Sequence, residues 1–219
     1  MNIRSIYELE DYLDKDLAWR KKEFTTIKFM IRSSRKHEIQ ILKKTAITLL
    51  YSHWEGYLKN SSQAYLCYLN HLAPRYCDLK DNFVQLSLAE KFSSGFSIKK
   101  YNSQRDIYNY ITGALHECLK IDEKRVVDTE SNLKYHVLCN IMGQIGLDNQ
   151  LFELKENFID SIMLKYRNAI AHGDRVQDDE VDDAYEQLEN DLLDMIMTYQ
   201  NLIKNAASTR SFLKSNAPS

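Results

Sequence analysis

An all-α fold is what this sequence predicts, and three observations carry the prediction. Apolar residues recur at steps of three and four along most of the chain, the period of a helix with one buried face. Glycine and proline number 6 and 2 in 219 residues, too few for the turn-dense strands of a sandwich or barrel. A composition of 44% hydrophobic and 27% charged residues is enough for a packed core and excludes disorder on compositional grounds. The length suits one large domain. Because stretches outside roughly 75–131 read as helix, the expected organisation is a single helical domain over residues 1–205 with a helical insertion at about 75–131, then a flexible tail at 206–219.

The elements follow in order. From Ile6 to about Ser34 the chain is rich in helix formers, and Ser33-Ser34 reads as a break. A second long helix, 36–73, carries its buried stripe on Ile39, Leu42, Ala46, Leu49, Leu50, His53, Tyr57 and Ala64 and stops before Pro74, because a proline inside would delete a backbone donor and clash with the preceding turn. The segment 75–102 is less regular, with a loop at Ser93–Ser97. Ser103 and Asp106 resemble the two halves of a capping box ahead of Ile107. A short helix after Ser131 is expected to end at Gly143 or Gly146. The next runs 154–172, with Phe158, Ile159, Ile162, Tyr166, Ala169 and Ile170 on one side and Gly173 as its left-handed stop. The last, 178–205, opens on the acidic cluster Asp178–Asp183, which complements the positive helix end. Its Val181, Tyr185, Leu188, Leu192, Met195, Tyr199 and Leu202 form a seam for bundle packing or for a subunit interface. Residues from Ala206 onward are expected to fray.

Charge and special residues narrow the function. Twenty-nine basic against 31 acidic residues leave −2, so a polyanion contact must be local rather than a basic track. The start MNIRSIYELEDYLDKD mixes both signs, unlike a signal or transit peptide, and no apolar run reaches a membrane span. A cytoplasmic protein without a membrane partner is expected. Cys67, Cys77, Cys118 and Cys139 show no CxxC pair and are expected to be reduced, buried thiols. A zinc site from His116, Cys118, His136 and Cys139 fits no common ligand spacing, and no Walker, GxGxxG or GxSxG motif is present. No metal or cofactor is expected.

The most informative stretch is Lys165-Tyr166-Arg167-Asn168-Ala169-Ile170-Ala171-His172-Gly173. Asn168 and His172 are four apart and share a helix face, while Arg167 lies about 140° from His172, within reach of its long side chain. Arginine can grip a phosphodiester through two parallel hydrogen bonds, and histidine moves protons near neutral pH. The negative end of the helix favours the imidazolium, which suits a general acid. A plainer reading stays open: His172 caps the helix, and Arg167 pairs with an acid of the next one. Arg32 and His37 repeat the spacing without the following Asn and across the expected break. Glu55 either reaches over to hold Arg167 or pairs with Lys59 one turn on. Trp54 and Tyr57, Tyr185 and Tyr199 read as packing rather than as platforms for bases.

Two stretches resemble a known family. Arg167-Asn168-Ala169-Ile170-Ala171-His172 is similar to the Arg-Asn-x-x-x-His signature of the HEPN superfamily, placed before a short loop and a last long helix. Leu49-Leu50-Tyr51-Ser52-His53-Trp54-Glu55-Gly56-Tyr57-Leu58-Lys59 resembles the YxxWEgfxK stretch of bacterial HEPN proteins of restriction, toxin–antitoxin and phage-defence loci, including the RiboL-PSP-HEPN-like branch. The resemblance implies a HEPN-like helical bundle and a metal-independent endoribonuclease. It implies a homodimer in which both Arg167/His172 pairs meet on RNA. His172 would move protons, Arg167 would steady the phosphate, and Asn168 would orient the histidine or touch phosphate. It also implies a toxin or phage-defence effector with a possible antitoxin or other regulatory partner. The alternative from the same resemblance is a non-catalytic module that dimerises and binds nucleotide, RNA or protein.

Overall fold

The computed structural model describes residues 1–91 and 97–214, and every regular element among them is helical. The α-helices are α1 (Ile6–Ser33), α2 (Lys36–Leu72), α3 (Asp81–Lys91), α4 (Tyr101–Gly113), α5 (Glu123–Val126), α6 (Tyr135–Gln144), α7 (Lys165–His172) and α8 (Asp178–Ser208). Short 3-10 turns at Tyr76–Asp78, Ala114–His116 and Gln150–Lys155 and a π-helical stretch at Phe158–Leu164 connect them. Local chemistry sets the long boundaries. The Ser5 side chain accepts the Glu8 N–H and opens α1. Ser34, extended at φ −82° and ψ 158°, closes it at the expected break. Ahead of Pro74, Ala73 turns left-handed at φ 47° and ends α2.

The three long helices make the core: α2 packs along α8 on one side and α1 on the other. The α8 seam of Val181, Leu188, Leu192 and Tyr199 is fully buried within the chain, so it serves intramolecular packing. Trp54 is likewise a core anchor, wholly buried with its ring against Phe152 and Tyr199, and the Tyr199 hydroxyl meets Ser62 Oγ at 2.7 Å. At the other end of the seam Asp182 accepts from Gln40 and Lys43 of α2. The hydrogen bond from Lys43 holds that carboxyl below its usual range.

A charged network sits inside the α1–α2 contact. Arg20, 3% exposed, donates through Nε to Asp16 Oδ2 at 3.1 Å and through Nη1 to the His53 carbonyl at 2.9 Å. Trp19 Nε1 donates to the second Asp16 oxygen, and the guanidinium lies over the Trp19 ring. Gly56 makes room for it: a Cβ there would come within 3.2 Å of both terminal nitrogens of Arg20. The glycine of the Trp-Glu-Gly run is therefore a packing requirement. His53 Nδ1 faces Arg20 Nη1 at 3.3 Å and must accept, which leaves the neutral ring's proton on Nε2, 3.1 Å from Glu23 Oε2.

Burial, with the Arg20 cation, holds the His53 imidazole below its usual 6.5, against the pull of Glu23 and Asp16. The unfolded chain then takes up a proton near pH 6.5 that the folded chain refuses. The stability His53 contributes is full above that pH and is lost as pH falls toward the depressed folded value. Melting temperatures between pH 7.5 and 5.5 are expected to decline more steeply for the wild type than for His53→Gln; parallel curves would refute it.

The structure departs from expectation in several places. α4 begins at Tyr101, with Gln104 N–H on the Lys100 carbonyl, so Ser103 and Asp106 lie inside it and form no cap. The loop expected at Ser93–Ser97 lies outside the described residues except for Ser97. The end of the chain does not fray at Ala206. α8 continues to Ser208, Phe212 is buried at 3%, and its carbonyl accepts the Lys80 N–H while Lys214 N–H reaches the Asp78 carbonyl. The four thiols are free, but Cys118 is exposed and the others are half-buried.

The helix expected over 154–172 changes pitch instead of running uniformly. Its buried residues before α7 are Phe158, Ile159, Met163 and Leu164, two apolar pairs each spaced by five. In an α-helix positions five apart point about 140° away from each other, whereas i→i+5 winding brings them toward one line. The sequence stripe, which assumed the α period, included Phe158 and Ile159 but missed Met163 and Leu164, and took in Ile162, Tyr166, Ala169 and Ile170, which are only partly buried.

Candidate functional site

α7 emerges from this π-helical stretch with Arg167 and His172 on one short helix. Its end is closed by backbone alone. Gly173 adopts φ 80°, its N–H reaches the Ile170 carbonyl, and the Asp174 N–H reaches the Ala169 carbonyl. The His172 side chain is exposed and makes no hydrogen bond among the described residues, so the cap does not depend on it.

Arg167 is half-buried, and its surroundings are unusual for a cation. Nη1 donates to Asn168 Oδ1 at 2.7 Å and to Asn132 Oδ1 at 3.0 Å. The guanidinium carbon lies 5.0 Å from the centre of the Tyr51 ring. Among the described residues no carboxylate comes within 4.0 Å of it, so the pairing with an acid of α8 is not formed. Two amide oxygens and an aromatic face orient the cation without neutralising it.

The supporting residues take other places than the sequence suggested. Asn168 spends its oxygen on Arg167, and no bond joins it to His172 among the described residues. Glu55 neither holds Arg167 nor pairs with Lys59; its Oε1 accepts from Thr129 Oγ1 at 2.8 Å. Tyr51, one turn before Glu55, accepts the Leu133 N–H at 2.8 Å. Burial pushes the Tyr51 phenol well above its usual value, and Glu55 adds to this against the Leu133 hydrogen bond and the Arg167 charge. Tyr51 therefore stays neutral beneath the arginine. Tyr51 lies within the Leu49–Lys59 stretch singled out in the sequence, which assigns it no role, whereas Asn132 and Thr129 carry no local signal that could have found them.

Around α7 lie Lys165, Arg175 and Lys44, the last on the Val176 carbonyl at 3.4 Å. A wide groove of about 590 Å³ runs beside the helix end, lined by Ile41, Thr45, Thr48 and Leu49 of α2 and by Ile170 and Ala171. Ile41 is 69% exposed there. The competing pair is split: Arg32 ends α1, 4.0 Å from Glu189, and His37 begins α2 beside Glu38. Among the described residues no three His, Cys, Asp or Glu side chains gather closely enough for a metal ion, so the His116, Cys118, His136 and Cys139 set is not assembled. No helix among them is long and apolar enough to cross a membrane.

The family model RiboL-PSP-HEPN matches residues 15–205. The chain belongs to the RiboL-PSP-HEPN family. The match takes in α2, α7 and nearly all of α8, and also the segment 75–131. The all-α architecture of this HEPN chain agrees with that membership. No curated protein and no solved structure matches it.

Proposed function

We infer that this HEPN chain is a metal-independent endoribonuclease whose working site joins two copies of α7. One observation carries the reading. Arg167 is a half-buried cation that neutral amides and a ring hold in place, on the same short helix as an exposed histidine with no competing bond. A phosphodiester supplies the missing negative charge. The ribose 2′-oxygen attacks phosphorus as one His172 takes its proton, and the P–O5′ bond breaks as the other copy's His172 protonates the leaving oxygen. The products carry a 2′,3′-cyclic phosphate and a 5′-hydroxyl. Arg167 steadies the charge on the phosphoryl oxygens. A single imidazole does not serve as base and acid in one displacement, which is the reason for two copies. Free in a cell, such an activity needs restraint, which fits a toxin or defence effector with an inhibiting partner.

The apolar groove beside Ala171 suits the second copy, since covering Ile41 and Leu49 would bring two α7 ends together. Ile41→Asp is expected to convert a dimer into a monomer at micromolar concentration and to abolish cleavage, as read by light scattering and RNA gels. A wild-type monomer that cleaves would overturn the two-copy site.

Incubating the purified protein with RNA in EDTA tests the class, and cyclic-phosphate ends are expected. The bare setting of His172, with no orienting bond, favours a second reading as a binding module. RNA that is bound and never cut would decide for that one.

A further inference from the structure

The segment between α5 and α6 is wired to the site at Thr129, Asn132 and Leu133. Thr129 hangs on Glu55, and Leu133, fully buried, gives its N–H to Tyr51, one helical turn away on α2. Between them Glu130 takes the left-handed backbone at φ 54°, with its N–H on Asp128 Oδ1. Lys134 N–H closes back on the Asn132 carbonyl at 2.8 Å. Asn132 is thus held from both sides, and its amide oxygen is the part that points at Arg167.

We propose that Asn132 is a positioning residue for Arg167: together with Asn168 it occupies Nη1, so that the Nε–Nη2 edge of the guanidinium faces an incoming phosphate. The assignment rests on the RNA reading above. A guanidinium has five N–H donors in a fixed fork. With both Nη1 hydrogens committed to Asn132 and Asn168, the N–H groups on Nε and Nη2 have no partner among the described residues. They form the parallel pair that grips two oxygens of one phosphate. The Tyr51 ring beneath fixes the plane. The choice of an amide matters chemically. Aspartate at 132 would hold the arginine just as still but would neutralise it, whereas an amide leaves the full charge for the ligand. Holding the arginine in place before RNA arrives avoids ordering a long side chain at the moment of reaction.

The test uses Asn132→Ala and Asn132→Asp in the full chain, read by 15N NMR of the arginine guanidinium groups and by RNA cleavage kinetics. Arg167→Lys assigns the Arg167 signals. In the wild type the Arg167 Nη hydrogens are expected to be resolved by slow rotation. Asn132→Ala is expected to merge them and to lower kcat by ~10- to 100-fold, with a smaller change in KM. Asn132→Asp is expected to keep them resolved yet to lose cleavage at least as severely. That opposite behaviour is one a merely structural loop residue does not produce. Unchanged Arg167 signals in Asn132→Ala, or wild-type cleavage by Asn132→Asp, would overturn the assignment. Should the wild type cut no RNA at all, the nuclease reading falls, while the Arg167 signals in the two variants still decide whether Asn132 positions it.

Discussion

RNA cleavage by the His172→Ala protein is expected to fall by ~10²–10⁴-fold, the usual contribution of a positioned proton-transfer group, while its melting temperature stays within a degree or two of the wild type. The separation follows from where the side chain sits. His172 is exposed and the carbonyls before it are already satisfied by Gly173 and Asp174 N–H groups, so truncation removes neither packing nor a cap. Truncation of an exposed side chain in such a setting usually changes stability by no more than ~0.5 kcal/mol. Arg167→Ala is expected to lose cleavage too, with a larger thermal shift, because it also empties the half-buried place above Tyr51. Arg32→Ala and His37→Ala keep the same sequence spacing on two separate helices and are expected to cleave as the wild type does. Cleavage that survives in His172→Ala sinks the nuclease assignment. Equal effects from both pairs of variants would mean that the motif carries no special chemistry.

The largest effect on stability is expected at Arg20. Arg20→Met should cost ~3–5 kcal/mol, because removing one partner of a buried ion pair strands the other. The stranded group here is Asp16, itself 9% exposed, and the His53 carbonyl loses a donor as well. Against a total of about 5–15 kcal/mol for a domain of ordinary stability, that loss brings the protein close to unfolding at physiological temperature. The double variant Asp16→Leu/Arg20→Met should recover most of it by removing the orphaned charge. Urea midpoints measure both, and a single-variant loss under 1 kcal/mol would show that water reaches the pair and screens it.

The two kinds of residue differ in how legible they were. The break at Ser33-Ser34, the stop at Pro74 and the acidic start of α8 are local chemistry, written within one helical turn of the feature they cause. The α8 stripe was legible because that helix buries one face at the helical period, whereas α2, packed between α1 and α8, buries Ile47, Tyr51, Trp54 and Leu58 beyond the single stripe its period suggested. Arg167 and His172 stand close in sequence on one helix, so their spacing could be read. Asn132 could not, since the chain must fold back from the segment between α5 and α6 before its amide meets Arg167. Asp16 and Arg20, an i,i+4 pair, look in sequence like any solvated surface pair, and only the approach of α2 with its bare Gly56 turns them into a buried network. Phe212 and Leu213 gave no periodic signal, as two apolar residues after a helix end match neither template. The π-helical winding was missed because a search at the α period reads pairs spaced by five as noise.

That looser winding places a constraint on length rather than on composition. Phe158–Leu164 acts like a spacer washer under α7: its turn count, not the identity of its exposed residues, sets the angle at which the next helix leaves. Exchanging exposed Ser161 for another helix former leaves that angle alone. Winding all seven residues at the ordinary α pitch would turn everything after them by roughly 120° and swing Arg167 off the Tyr51 face with its own sequence intact, whereas deleting one residue as the pitch tightens offsets that turn and keeps the aim. In a lineage of such proteins, a single-residue gap in this stretch would mark a chain that has exchanged the π winding for a plain α-helix while its arginine keeps its aim.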